Sequence, residues 1–299
     1  MMKNKLFVSA FILAIVVTGC AKDVQNSQAK ETIRQKITGL KTPESVVQAK
    51  DGRIFVSEIN VFGKEGDGQI TLIDQSGKTS VFASGLNDPK GLAVINGNLY
   101  VADNKKVLKI TPDGKSSVFA KAEAFSSALH GSPYFLNDLE ADPQGNLYVS
   151  DSGDLFGTGL GGAIFKINPQ GQVILLQSNM QDARIKAPNG LLADDTGDVL
   201  IVVDFTSGVL YSFNQKTKAL NDIAEGFGGG DGLVHRSNGT MYVSDWKNGK
   251  VFSVNTKGEV EVLKSGYQSA ADIAITKDEK YLMVPDMKAG ELDFIPLAK

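Results

Sequence analysis

One short phrase recurs six times along this chain, and it restricts the fold more tightly than any other feature. It is an apolar strand ending in an acidic residue: Ile54-Phe55-Val56-Ser57-Glu58, Leu99-Tyr100-Val101-Ala102-Asp103, Leu147-Tyr148-Val149-Ser150-Asp151, Leu200-Ile201-Val202-Val203-Asp204, Met241-Tyr242-Val243-Ser244-Asp245 and Leu282-Met283-Val284-Pro285-Asp286. The acidic ends are 45, 48, 53, 41 and 41 residues apart. A period in the forties built from strands is the spacing of a propeller blade. Six copies predict an all-β, six-bladed β-propeller.

Each copy sits in a unit of four strands. A short apolar strand precedes it, as in Gly91-Leu92-Ala93-Val94 or Gly190-Leu191-Leu192-Ala193. A third and a fourth strand follow, closed by turns such as Thr111-Pro112-Asp113-Gly114 and Asn168-Pro169-Gln170-Gly171. Pro, Asp, Asn and Gly at these places supply the backbone angles that tight turns need. The sixth unit stops after its third strand, because the chain ends at Lys299. Residues 32–37 are the expected replacement, an N-terminal strand that completes the last blade and removes the exposed edge of an open ring. The propeller is thus expected over residues 31–299.

The first nineteen residues read differently. Lys3 and Lys5 precede an apolar run over residues 6–17 that is too short to span a bilayer. Val17-Thr18-Gly19-Cys20 follows and resembles a bacterial lipoprotein signal, in which the cysteine becomes the lipidated first residue. Residues 1–19 are then a signal peptide and residues 20–30 a polar tether. Acyl chains on Cys20 would anchor the protein to the membrane, outside the cytoplasm. Ala21 after the cysteine points to the outer membrane facing the periplasm in a Gram-negative host. Loss of Lys3 and Lys5 takes the formal charge from −3 to −5. No basic run argues for nucleic acid, and a monomer is expected. Cys20 is the only cysteine, so no disulfide can staple the fold.

Alignment of the six units shows where chemistry can reside. The residue that opens each innermost strand points at the central channel. In order these are Glu44, Lys90, Asn137, Asn189, Asp231 and Ala271, each 13 to 15 residues before its acidic end. Four carry side-chain oxygen, and they come from four blades. Two carboxylates and two amides on one axis suit a hard divalent cation. Neither of the two histidines falls on a ring position, which makes zinc less natural. Glu44 and Asp231 together supply the charge that one divalent ion neutralises; at ~4 Å they would repel by about 4 kcal/mol at an effective dielectric near 20. The competing reading is turn chemistry, which explains Asp231-Gly232 or Asn189-Gly190 singly but not Glu44 in the same register.

With Glu44, Asn137-Asp138, Pro188-Asn189-Gly190-Leu191 and Asp231-Gly232 in this order in successive blades, the chain resembles the gluconolactonase/regucalcin family. Diisopropylfluorophosphatase and the paraoxonases are more distant relatives of the same fold. The resemblance implies one divalent ion, usually Ca²⁺, at the bottom of a pocket, and hydrolysis of lactones or related small esters. By the same implication Glu44, Asn189 and Asp231 are metal ligands. Asn137 is a ligand or holds the substrate against the metal. Asp231 acts as general base or as nucleophile, with the ion as Lewis acid.

The pocket walls are expected from two long Gly-bearing loops, residues 59–68 and 152–162, which carry Phe62 and Phe156. Phe205, Trp246 and Met287 occupy matching places in later blades. Lys90 either binds an anionic group or reaches solvent. His130, in Leu129-His130-Gly131-Ser132-Pro133, is an auxiliary base or a surface histidine. Two other functions fit the same floor: a lipid-anchored binding propeller with a structural metal, and a phosphotriesterase-like hydrolase.

Overall fold

The computed structural model describes residues 34–298; residues 1–33, with the signal-like segment, Cys20 and the tether, lie outside them. The strands form six four-stranded antiparallel sheets. In five sheets the four strands follow one another in the chain. Pro43–Gln48, Ile54–Glu58, Gly68–Ile73 and Thr79–Leu86 form the first. The sixth takes Ala274–Ile275, Tyr281–Asp286 and Glu291–Pro296 from the end of the chain, and Ile37–Thr38 from its beginning.

Residues 32 and 33 of the expected N-terminal strand lie outside the described residues. Among the described residues, Ile37 and Thr38 pair with Leu292 and Glu291. Arg34, Gln35 and Lys36 are not in a strand. Arg34 lies over the Phe294 ring, 5.5 Å from its centroid, and Lys36 pairs with the Glu291 carboxylate at 2.7 Å. Leu40 then turns into the core between the last blade and the first.

Alternation along the strands places apolar side chains between blades. Six hydrophobic clusters result, one at each blade–blade junction. One of them packs Val46, Ile54 and Val56 of the first blade against Tyr281, Met283 and Phe294 of the sixth. At ~1.5–3 kcal/mol for each fully buried large apolar side chain, these junctions stabilise the ring without a disulfide.

The innermost strands begin at the channel with the same irregularity. Pro43 pairs with Glu58, yet Val46 pairs with Val56, so one extra residue is accommodated on the inner strand. The same excess follows Pro89, Leu136, Pro188 and Gly230. These are β-bulges, which re-aim side chains. Each falls immediately at the ring position. A serine on the neighbouring strand takes up the backbone N–H at the bulge in three blades: Ser57 accepts from Ser45, Ser150 from Asp138 and Ser244 from Gly232. The serine and the acid of the Val-Ser-Asp phrase therefore have distinct jobs. Asp151 accepts from the Tyr134 and Phe135 amides, Asp204 from Lys186 and Ala187, and Asp286 from Gln268 and Ser269. Each acid pins the segment that leads into the inner strand of its own blade, and so fixes where the ring residue stands.

Candidate functional site at the channel floor

Five ring residues, Glu44, Lys90, Asn137, Asn189 and Asp231, line one cavity of about 300 Å³. All five are buried. Ala271, at the sixth ring position, does not line it; it packs with Ile59 and Met287 behind Trp246. The wall contains Phe62, Phe156, Phe205, Trp246 and Met287, and also Asp88, Asn104, Tyr134, Phe135 and Leu155. Phe62 and Phe156 are substantially exposed, so the cavity opens to solvent between the two long loops. Phe135 and Phe156 stack with centroids 6.5 Å apart, and Phe205 tilts against Trp246 at 6.2 Å.

The floor has a defined hydrogen-bond order. Asn137 Nδ2 donates to Ser152 Oγ at 2.9 Å, which in turn donates to the Pro188 carbonyl at 2.9 Å. Asn189 Nδ2 donates to Asp231 Oδ1 at 2.8 Å. With both amide nitrogens engaged, the amide oxygens are the groups left for a ligand. Glu44 Oε2 is buried without a hydrogen-bond partner. An orphaned carboxylate oxygen at this depth is costly unless something absent from the protein itself binds it.

The electrostatics agree. Burial pushes Glu44 well above the usual carboxylate range, and the Asp231 charge adds to the effect while Lys90 opposes it. Burial also raises Asp231, to about 8; the charge of Asp138 raises it further and the Asn189 hydrogen bond works the other way. Burial lowers Lys90, against the charges of Glu44 and Asp88. Clustered carboxylates displaced in this way mark a site that a cation or a proton must satisfy.

The residues fit a divalent cation by type: two carboxylates, of which Glu44 has an unpartnered Oε2, and two amide oxygens. Among the described residues, no group of three or more His, Cys, Asp or Glu side chains is placed to hold a metal ion. The candidacy of this floor therefore depends on its amide oxygens as well as its acids, a donor set suited to Ca²⁺.

A second tier of acids, beyond the ring positions expected from the sequence, lies one residue further along the inner strands. Asp138 accepts from the Leu139 and Leu191 amides, each at 2.7 Å, and Asp272 accepts from Ser45 Oγ at 2.5 Å. Both are buried, and both line a cavity of about 320 Å³ at the other end of the channel. The corresponding residue in three other blades is glycine. A Cβ on Gly190 would stand 2.5 Å from the Asp231 carbonyl oxygen, and one on Gly232 2.4 Å from the Ile273 nitrogen. Glycine there lets neighbouring inner strands close the channel beneath the floor. The signal was in the sequence: Asn137-Asp138 and Ala271-Asp272 carry an acid where Lys90-Gly91, Asn189-Gly190 and Asp231-Gly232 carry glycine.

The two histidines do not join the floor. His130 is absent from the cavity lining and takes a left-handed conformation, φ 57°, as the C-cap of the helix Ala122–Leu129. The segment entering the third blade reads as a loop in the sequence, but it forms this helix because Phe125 buries against Phe165 at 5.1 Å. The helix places His130 at its own end rather than in the pocket. His235 is exposed at the opposite cavity.

Fold and floor together define a six-bladed propeller with a solvent-reached, acid- and amide-lined cavity on its axis. The chain belongs to the SMP-30/gluconolactonase/LRE-like family, whose model matches residues 94–284. Membership supports a lactonase-like hydrolase. No curated protein sequence matches the chain. Among solved structures, a gluconolactonase from Xanthomonas campestris is similar over 88% of this chain and 89% of that one, with TM-score 0.71 and 14% identity. Virginiamycin B lyase from Staphylococcus aureus is similar over 88% and 99%, with TM-score 0.60 and 11% identity. At these identities the likeness establishes the shared fold.

Proposed function

We propose that the chain is a divalent-metal-dependent hydrolase of lactones or related small esters, with Ca²⁺ as the ion and the axial cavity as its active site. The observation that carries the reading is Glu44 Oε2, buried and unpartnered in the cavity that Asn137, Asn189 and Asp231 also line. Glu44, Asn137, Asn189 and Asp231 would hold the ion. When bound, the ion supplies Lewis acidity to the acyl carbonyl oxygen.

The protein's own groups then have separable tasks. Asn189 holds Asp231 through Oδ1, which orients the carboxyl group. In its ionised form Asp231 takes a proton from water, and the water oxygen attacks the acyl carbon. The acyl–oxygen bond breaks, and the proton passes from Asp231 to the departing alkoxide, giving a hydroxy acid. A bound divalent ion would favour the ionised form of Asp231 that this step needs. In the alternative route an Asp231 oxygen attacks directly and water then cleaves the acyl-enzyme. The aromatic walls exclude water from around the acyl group.

The test is a hydrolysis screen of sugar lactones, phenyl-substituted lactones, aryl esters and phosphotriesters, before and after chelation and after Ca²⁺ is restored. Turnover of a lactone or ester that disappears on chelation and returns with Ca²⁺ is expected. Ion binding with no ester turned over would leave a binding propeller. Turnover of phosphotriesters alone would assign the floor to that reaction instead.

We also propose that the mature chain begins at a lipidated Cys20, from Val17-Thr18-Gly19-Cys20. Cys20→Ser should move the protein out of the membrane fraction or leave its precursor unprocessed. A variant of normal mature size that still fractionates with membranes contradicts lipidation.

A further inference from the structure

Lys90 is the one cation on the ring, and its surroundings are unusual. It is 6% exposed and lines the cavity. Its ammonium lies 5.1 Å from the centroid of Phe135 and 5.9 Å from that of Phe62. It makes a hydrogen bond to the Asp88 carbonyl oxygen at 3.2 Å. An ammonium has three donors, so two remain for a ligand.

Among the described residues, no carboxylate lies within ion-pair distance of the Lys90 ammonium, and the nearby acids make contacts of their own. Asp88 accepts from the Gly63 amide at 2.9 Å, Asp103 pairs with Lys106 at 3.5 Å, and Asp231 accepts from Asn189. A divalent ion on the floor would cancel Glu44 and Asp231 and leave Asp88 and Asp103, neither in an ion pair with Lys90, as the acids that still act on its ammonium. The rings beneath the ammonium offset part of its desolvation, but a buried cation without an ion pair remains costly. Such a group is suited to a ligand of opposite sign. Around it, Phe62, Phe135, Phe156, Phe205 and Trp246 offer flat apolar surface, with Asp88, Asn104 and Tyr134 as the polar groups of the wall.

We propose that Lys90 determines specificity: its ammonium receives a carboxylate carried by a lactone or ester whose body is apolar or aromatic. The reaction class in this statement depends on the hydrolase reading above; the binding of a carboxylate at Lys90 does not.

The decisive experiment is calorimetric titration of the full mature protein, loaded with Ca²⁺, with phenylacetate and with phenylacetamide. The two share size and ring and differ in charge. Phenylacetate is expected to bind at least tenfold tighter. Lys90→Met should remove that preference and Lys90→Arg should keep it. Should Lys90→Met not fold, Lys90→Gln serves the same comparison. Equal binding of the two probes by the parent overturns the proposal. So does an undiminished preference in Lys90→Met, which would place the carboxylate on the floor. In turnover, Lys90→Met should raise KM for a carboxylated phenyl lactone at least tenfold more than for its neutral counterpart. If the parent hydrolyses no lactone, the hydrolase reading fails, while the phenylacetate preference still decides the role of Lys90.

Discussion

Asp231→Asn is expected to lower kcat by about 10²–10⁴-fold, the range that a positioned general base contributes. The substitution keeps an oxygen on the floor, so the loss should persist at saturating Ca²⁺. Ion affinity should fall much less than turnover, because an amide oxygen can still ligate. Glu44→Gln should show the reverse emphasis, since it removes one of two negative charges and leaves the proton-transfer group in place. Steady-state kinetics at several Ca²⁺ concentrations separate the two. A drop in kcat below tenfold for Asp231→Asn at saturating ion would remove Asp231 from the chemistry. Single turnover in ¹⁸O-water then tests the direct route: label in the carboxylate of Asp231 identifies it as the nucleophile, because the base route places the water oxygen only in the product.

The metal-stripped protein should lose thermal stability as pH rises from about 4 to about 8. Asp231 is raised to about 8 and Asp138 to about 6, both chiefly by burial. In the unfolded chain these carboxyls ionise near pH 4. Between the unfolded and folded values the native state holds protons that the unfolded chain has released. Stability is therefore fully present below about pH 4 and is lost as pH rises through the folded values. Over the whole window the loss is on the order of several kcal/mol. A bound divalent cation favours the ionised forms and should flatten this slope. At a fixed Ca²⁺ concentration the stabilisation, about 2.7 kcal/mol where that concentration is 100 times Kd, should therefore grow with pH as Kd falls. Melting curves at pH 5, 6, 7 and 8, with chelator and with Ca²⁺, measure both slopes. A stripped protein whose Tm is the same at all four values would show that these carboxyls are not displaced.

Much of the architecture could be read from the sequence because a propeller is periodic. One phrase, repeated, revealed the blade count, the strand order and the register, and the register alone brought Glu44, Asn137, Asn189 and Asp231 to one floor. What periodicity did not show were the exceptions. The helix Ala122–Leu129 is an insertion between units, and it carried His130 away from the cavity. Asp138 and Asp272 stand at a position where the other blades have Ser45 or glycine, and their depth depends on how closely the inner strands approach at Gly190 and Gly232. The wall residues Tyr134 and Phe135 sit in a segment whose path is fixed by hydrogen bonds to Asp151, which the repeat marked without revealing its purpose. Of the expected N-terminal strand, residues 32 and 33 lie outside the described residues, Arg34 lies over the Phe294 ring, and Ile37 and Thr38 pair with the last strand.

The central claim is that one divalent ion, held at Glu44, Asn137, Asn189 and Asp231, is required for hydrolysis in the axial cavity. Its most direct test is a titration of metal-stripped protein with Ca²⁺, with ion uptake and the initial rate of lactone hydrolysis followed in the same samples. The account predicts that the rate rises along the binding isotherm and saturates at one ion per chain. Full activity in the stripped protein, or no ion taken up at any concentration, would contradict it.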